Sequence, residues 1–81
     1  MNIRIRKPAI KDLEKLTPLQ KQKIHQKILD LKKFPQVSNV KKLTNFEPAF
    51  RLRIGNFRVL FDVEGDTILI GRVLHRKESY K

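Results

Sequence analysis

The chain has 81 residues, fewer than a typical domain, which excludes a two-domain enzyme with a large cleft and predicts one domain over residues 1–81. It contains no cysteine, so disulfides and thiolate zinc sites are excluded, and we expect a cytoplasmic protein. Its 19 Lys and Arg residues against 8 Asp and Glu residues give a net charge of +11. A polyanionic partner is the first hypothesis; the alternative is that excess lysine only solubilises the surface, and the placement of the charges must decide.

The first part of the chain predicts a strand followed by two helices. Ile3 and Ile5 alternate with arginines, a period of two that is typical of a short strand, and Pro8 suits the first turn of a helix. Thr17 begins a capping-box sequence, so a second helix begins there and runs to about Phe34. No stretch approaches the roughly 18 apolar residues of a membrane span, and we expect no membrane partner. The apolar stripes expected to be buried are Ala9, Leu13 and Leu16 on the first helix and Ile24, Ile28 and Leu31 on the second.

The second part of the chain predicts a sheet. Residues 35–48 are polar and contain prolines, which indicates a loop. Three alternating segments then follow, at 50–54, 57–63 and 67–74, separated by the turn signals Gly55-Asn56 and Gly65-Asp66. These predict a three-stranded antiparallel meander. The expected fold class is α+β, with the N-terminal strand and two-helix hairpin packed on one face of a small antiparallel sheet.

The first hairpin places three arginines on one face. If Gly55 and Asn56 are the loop residues, Arg53 lies opposite Arg58, and Arg51 shares their face. Opposed like charges repel by some tenths of a kcal/mol, and a bound anion would remove that repulsion. Arginine favours phosphate as the anion because its planar fork matches phosphate geometry. The alternative is that the arginines extend into water or contact acidic side chains such as Asp62, Glu64 or helix carboxylates. The opposite face, where the helices should pack, carries Phe50, Leu52, Ile54, Phe57, Val59 and Phe61.

The register of the last strand is ambiguous. Extending it through the second turn pairs Phe61 with Ile70 and Arg58 with Val73, and puts Arg72 on the helix face. Either a bulge near Gly71 reverses the later residues, or Arg72 reaches past the sheet edge; the sequence leaves both open. The directions of His75 and of the residue after it are equally open.

The C-terminal residues offer chemistry for a phosphodiester site. His75 could transfer a proton near neutral pH, Arg76 could stabilise a pentavalent phosphate, and Tyr80 could stack on a base or transfer a proton. The alternative is that Tyr80 is a packing residue and His75 a surface residue. The sequence contains no Walker loop, no GxGxxG and no HExxH motif, so we expect no cofactor and no metal.

The segments 50–61 and 73–80 resemble those of the RelE/ParE superfamily of bacterial and archaeal toxins. The first has the basic-x-basic, glycine turn and aromatic-Arg pattern, and the second ends in His-Arg-x-x-x-Tyr. The resemblance covers essentially the whole chain. It implies a RelE-like fold and, in the RelE branch, a toxin that enters the ribosome, cleaves messenger RNA and inhibits translation. In that branch the 2′-hydroxyl attacks the adjacent phosphate without a metal and leaves a 2′,3′-cyclic phosphate.

The resemblance also implies roles for individual residues. Arg51 and Arg53 match the paired basic residues of the family, which are commonly lysines; arginine cannot serve as a base, so we expect electrostatic stabilisers here. Arg58 matches the phosphate-stabilising arginine. The expected catalytic set is Arg51, Arg53, Arg58, His75, Arg76 and Tyr80, with His75, Tyr80 or the ribosome's own environment as the source of any general base.

Two alternatives to a nuclease remain at this stage. One is a ParE-like inhibitor of DNA gyrase on the same fold, and the other is an inactive homologue that only binds an antitoxin or nucleic acid. The implied partners are a cognate antitoxin, which would form a hetero-oligomer with the toxin and cover its basic face, and the ribosome with its messenger RNA.

Overall fold

The computed structural model describes residues 1–43 and 48–77. The strands of these residues form one five-stranded sheet in the order β1-β5-β4-β3-β2, in which β1 runs parallel to β5 and the other pairs are antiparallel. The predicted α+β class, with both helices on one face of the sheet, is confirmed. The elements are β1 (Asn2–Ile5), α1 (Lys7–Glu14), α2 (Pro18–Leu29), a 3₁₀ turn (Asp30–Lys33), β2 (Val40–Lys42), β3 (Phe50–Ile54), β4 (Phe57–Glu64) and β5 (Thr67–His75).

Both helices begin where the sequence predicts. Pro8 lies in the first turn of α1. Thr17 caps α2 through both bonds of a capping box: its hydroxyl accepts from the Gln20 N–H at 3.2 Å, and its own N–H donates to Gln20 Oε1 at 3.1 Å. The predicted end of α2 near Phe34 was too late. The α-helix ends at Leu29 and continues as the 3₁₀ turn to Lys33. Phe34 itself is extended because it precedes a proline, so the helix cannot include it.

The sheet is larger than the predicted meander. Part of the predicted loop at 35–48 is the strand β2, whose residue Val40 pairs with Leu52 and whose residue Lys41 pairs with Arg51. Three residues are too few for a period of two to be recognised in the sequence. At the other edge, β1 pairs with β5 rather than lying outside the sheet. Residues 44–47 of the predicted loop lie outside the described ranges.

The core lies between the helices and the predicted apolar face of the sheet. Phe61 is fully buried at its centre, where its ring stacks on Phe50 with centroids 5.4 Å apart and meets the edge of Phe34 at 6.0 Å. Within residues 1–43 and 48–77, no helix is long and apolar enough to cross a bilayer. The helix residues that complete the core are Ala9, Ile24, Ile28 and Leu31, and the sheet supplies Leu52, Ile54, Val59, Ile68, Ile70 and Val73.

A β-bulge at Gly71 resolves the ambiguous register. The predicted pair of Phe61 with Ile70 is confirmed, but Leu60 then pairs with Arg72, so one extra residue enters β5 between the two pairs. The predicted pair of Arg58 with Val73 is therefore wrong, and Arg58 lies opposite Leu74. The shift lets Val73 enter the core.

The buried carboxylate of Asp12 in α1 lies against this bulge. Its Oδ2 accepts from Arg72 Nε at 2.8 Å and from the Val73 N–H at 2.9 Å, and its Oδ1 accepts from Arg72 Nη2 at 3.1 Å. Burial raises the pKa of Asp12, but the hydrogen bonds from Arg72 and Val73 and the positive charges of Arg72 and Lys15 outweigh it, so the pKa lies below its ordinary value.

This carboxylate predicts a pH dependence of folding. Because the pKa of Asp12 is lowered by folding, its contribution is present above about pH 4 and is lost as the pH falls through the folded-state pKa. We expect Asp12→Asn to lower the free energy of unfolding by about 1 to 3 kcal/mol at pH 7, and the gap from wild type to narrow below about pH 4. Urea titrations between pH 2 and 7 measure this. Glu14→Gln, an exposed change on the same helix, should follow wild type throughout; a gap for Asp12→Asn that stays constant with pH would contradict the prediction.

Candidate active site

The face of the sheet opposite the helices brings two predicted arginines together. Arg53 lies directly across from Arg58, as the hairpin prediction requires. The N–H of Arg53 donates to the Asn39 carbonyl on the other side of β3, at 3.0 Å. Arg53 and Arg58 therefore form a non-hydrogen-bonded pair, the closer of the two antiparallel spacings, with α-carbons about 4.5 Å apart. The two arginine side chains thus start from neighbouring points on one face.

Arg58 is buried, with 4% of its surface exposed. Its Nη1 turns back to the hairpin and donates to the Phe57 carbonyl at 3.2 Å and, at the longer distance of 3.4 Å, to the Gly55 carbonyl. Its Nε is also buried and has no hydrogen-bond partner among the described residues. A buried charge with an unsatisfied donor is unfavourable for folding. An anion that accepts from this donor would relieve that penalty, and the side chain must turn outward to meet it because Nε has no exposed surface.

Two further cations extend the same face, and one of them was missed. Arg51, which was predicted, is half-buried on β3 and pairs across the strand with Lys41 on β2. Lys41 escaped prediction because residues 35–48 were interpreted as a loop. We name these four residues the basic face: Lys41, Arg51, Arg53 and Arg58.

The basic face is not neutralised by nearby carboxylates within the described part of the chain. The one ion pair found in residues 1–43 and 48–77 joins Arg72 to Asp12, so it involves none of these four cations. Asp62, one of the acidic residues named in the alternative interpretation, instead accepts from the Ala49 N–H at 2.7 Å. The described residues therefore leave an excess of positive charge, which attracts an anionic ligand.

The structure separates the predicted C-terminal residues. His75 pairs with Phe57 on the helix side of the sheet, with the two rings edge to face at 5.4 Å, so it does not join the basic face. Its Nδ1 accepts from the Lys77 N–H at 3.2 Å, which puts the proton of the neutral ring on Nε2. The main chain of Arg76 lies beside the first hairpin turn, where its N–H donates to the Asn56 carbonyl at 2.6 Å. Tyr80 lies outside the described residues.

A polar cleft of about 240 Å³ adjoins the basic face at Arg53. The 3₁₀ turn, the segment before β2 and the edge of β3 form its walls. Its lining includes the cations Lys27 and Lys33, the carboxylate of Asp30 and the polar residues Ser38 and Asn39. Such a cleft can accept a polar, negatively charged group next to one held on the basic face. Among the described residues, no three His, Cys, Asp or Glu side chains come together as a group that could hold a metal ion.

The family model of the ParE toxin of type II toxin–antitoxin systems matches residues 3–80. The chain belongs to the RelE/ParE superfamily of toxins. This RelE/ParE toxin resembles the putative toxin RelE1 of Methanocaldococcus jannaschii, with 34% identity over 85 positions that cover 99% of this chain and 94% of that protein. Toxin RelE3 of the same organism is 45% identical over 42 residues, so that match spans 52% of this chain and about half, 48%, of RelE3.

Solved structures of RelE proteins share the fold of this toxin. The toxin in the RelB-RelE antitoxin–toxin complex of Methanococcus jannaschii has a TM-score of 0.76 and 30% identity, with coverage of 94% of this chain and 93% of that one. The RelBE2 toxin–antitoxin complex of Mycobacterium tuberculosis gives a TM-score of 0.79 and 31% identity over 93% and 96% of the two chains. The isolated E. coli RelE toxin, at 16% identity and a TM-score of 0.75, shares the fold over 98% of this chain and 89% of its own. The RelE/ParE toxin is thus a RelE-like component of a type II toxin–antitoxin system.

Proposed function

We propose that this toxin is a ribosome-dependent endoribonuclease that cleaves messenger RNA and so inhibits translation. The observation that carries the proposal is the buried Arg58 guanidinium, whose Nε lacks a partner among the described residues, next to Arg53 on a face with excess positive charge. A phosphate gains negative charge during in-line attack. It would therefore accept stronger hydrogen bonds from these groups in the transition state than in the ground state.

The reaction proposed is an internal transfer on the RNA chain. The 2′-hydroxyl loses its proton and its oxygen bonds to the adjacent phosphorus, while the bond from phosphorus to the 5′-oxygen of the next nucleotide breaks. That oxygen takes up a proton, leaving a 5′-hydroxyl end and a 2′,3′-cyclic phosphate. Arg58 would bind the non-bridging oxygens, and Arg51 and Arg53 would hold the strand by its backbone.

Proton transfer needs a group other than the arginines, which stay protonated. Tyr80 is our candidate, on the resemblance of the C-terminal motif, with Arg76 as a further cation beside the hairpin turn. His75 packs against Phe57 on the opposite face, which argues against direct transfer to a phosphate bound by Arg53 and Arg58. The ribosome would supply any further group that proton transfer requires.

The antitoxin proposed as a partner is a RelB-like protein. Related toxins are found in complexes with RelB, from Methanococcus jannaschii and from Pyrococcus horikoshii. Such a partner would cover the basic face with an acidic segment and add apolar burial to a small core. A chain with a net charge of +11 suits both partners, the acidic antitoxin segment and the RNA of the ribosome.

A translation reaction with a defined message tests the nuclease against the alternatives. Primer extension should map new 5′ ends when ribosomes translate in the presence of wild-type toxin. We expect the yield of these ends to fall at least about 10-fold in Arg53→Ala and Tyr80→Phe. Lys21→Ala, which removes one exposed positive charge on α2, should cleave like wild type. Unchanged cleavage in both site variants would overturn the site assignment; intact messages with inhibited gyrase supercoiling would instead support the ParE-like function.

A further inference from the structure

The bulge in β5 decides which residues meet the basic face. Before the bulge Phe61 pairs with Ile70, and after it Arg58 pairs with Leu74. A strand without the extra residue would put Val73 opposite Arg58 and turn it away from the core, because a slip of one residue reverses every side chain. The bulge also sets the position at which the Arg76 N–H meets the Asn56 carbonyl.

The backbone at Gly71 does not by itself require the bulge. Gly55 and Gly65 have positive φ angles of 56° and 57°, but Gly71 is not among the positive-φ residues. A Cβ added at Gly71 would meet the Leu60 carbonyl and Pro48 at 3.5 Å, an ordinary van der Waals distance. The conformation is therefore open to other residues, and a glycine alone does not select it over a regular strand.

Asp12 provides the contact that can select it. Its carboxylate binds the two residues that directly follow the bulged glycine, with both oxygens on the Arg72 guanidinium and one oxygen also on the Val73 N–H. That N–H is buried, so the bulged register is favoured only if a buried acceptor pairs with the N–H. Asp12 is itself buried on α1, which packs against β5, and the bond to Val73 spans 61 residues of sequence.

We propose that Asp12 is a positioning residue for the active site: it holds the bulge and thereby sets the register in which Leu74 and Arg76 meet Arg58 and the first hairpin turn. Its effect on cleavage rests on the proposed function, whereas its effect on register does not. Arg72 orients the Asp12 carboxylate through the bidentate contact, so loss of Arg72 should weaken the bond to Val73 without removing its acceptor.

Two variants and a matched control test the proposal. In Asp12→Asn we expect the cross-strand NMR contact between Arg58 and Leu74 to weaken, the Val73 amide to exchange faster with solvent, and kcat for cleavage to fall between about 10- and 100-fold with little change in KM. Arg72→Gln should give the same changes at smaller size. Glu14→Gln, an equal charge change on the exposed side of α1, should leave all three measurements at their wild-type values.

The outcomes separate the inference from the proposed function. If both Asp12→Asn and Arg72→Gln keep the contact between Arg58 and Leu74 and cleave at the wild-type rate, the proposal is overturned. It is also overturned if the register changes without any change in kcat, because Asp12 would then be structural only, or if Glu14→Gln is equally impaired. If wild-type toxin does not cleave, the proposed function fails. The contact between Arg58 and Leu74 in the variants then tests by itself whether Asp12 sets the register. Should Asp12→Asn not fold, Arg72→Gln carries the same decision.

Discussion

Replacing Arg58 with methionine should lower message cleavage about 100- to 1,000-fold, the loss typical of removing one donor to a transition-state oxyanion. The same change should raise the free energy of unfolding, by about 1 kcal/mol, because it removes a buried charge whose Nε is unsatisfied within the described residues. Activity and stability should therefore move in opposite directions. Single-turnover cleavage on translating ribosomes and urea unfolding of the same preparations measure the two effects.

Two further variants make this prediction specific. Arg58→Lys keeps the positive charge but loses the planar fork, and we expect it to restore only a small part of the activity. Lys21→Met removes one exposed charge on the helix side and should change neither activity nor stability. If Arg58→Met cleaves like wild type, Arg58 does not contact the phosphate. If it loses activity and stability together, Arg58 is a structural residue and the account of a strained, anion-binding guanidinium is wrong.

Replacing Phe61 with alanine should remove a large part of the toxin's stability at 25 °C. The ring is fully buried between Phe34 and Phe50, and deleting such a ring removes about 3 to 5 kcal/mol. A chain of this length has a total stability of about 4 to 12 kcal/mol, so the loss takes most of it at the lower end of that range. Far-ultraviolet circular dichroism and urea titration measure the change.

The control for Phe61 is an exposed apolar residue. Leu19 on α2 is 77% exposed, and Leu19→Ala should stay within about 0.5 kcal/mol of wild type. A Phe61→Ala protein that unfolds at the wild-type urea concentration would mean that the aromatic cluster is not the centre of the core. Equal losses in both variants would mean that α2 contributes to stability through Leu19 as much as the sheet does through Phe61.

The hairpin that carries the basic face could be predicted because its sequence is locally consistent. A two-residue turn at Gly55 and Asn56 fixes the register, and strict alternation then assigns every side chain to a face. Arg53 and Arg58 therefore lie where the sequence places them. The burial of Arg58 was not predictable, since alternation assigns a face without saying what covers it.

The remaining parts of the site depend on contacts between distant segments. Lys41 joins the basic face only because β2 pairs with β3, and three residues carry no period of their own. The bulge at Gly71 depends on a carboxylate in α1, so no window of the last strand contains its cause. His75 illustrates the result: its place beside Arg76 in the sequence suggests a shared site, whereas the shifted register puts it against Phe57.

The chemical nature of the cleaved ends tests the central claim most directly. Messages cut by wild-type toxin on translating ribosomes should carry a 5′-hydroxyl on one fragment and a 2′,3′-cyclic phosphate on the other, because the basic face is proposed to stabilise attack by the RNA's own 2′-hydroxyl. Ligation and mass spectrometry of the purified fragments identify both ends. Fragments with a 5′-phosphate and a free 3′-hydroxyl, or messages that stay intact while growth is arrested, would contradict this account.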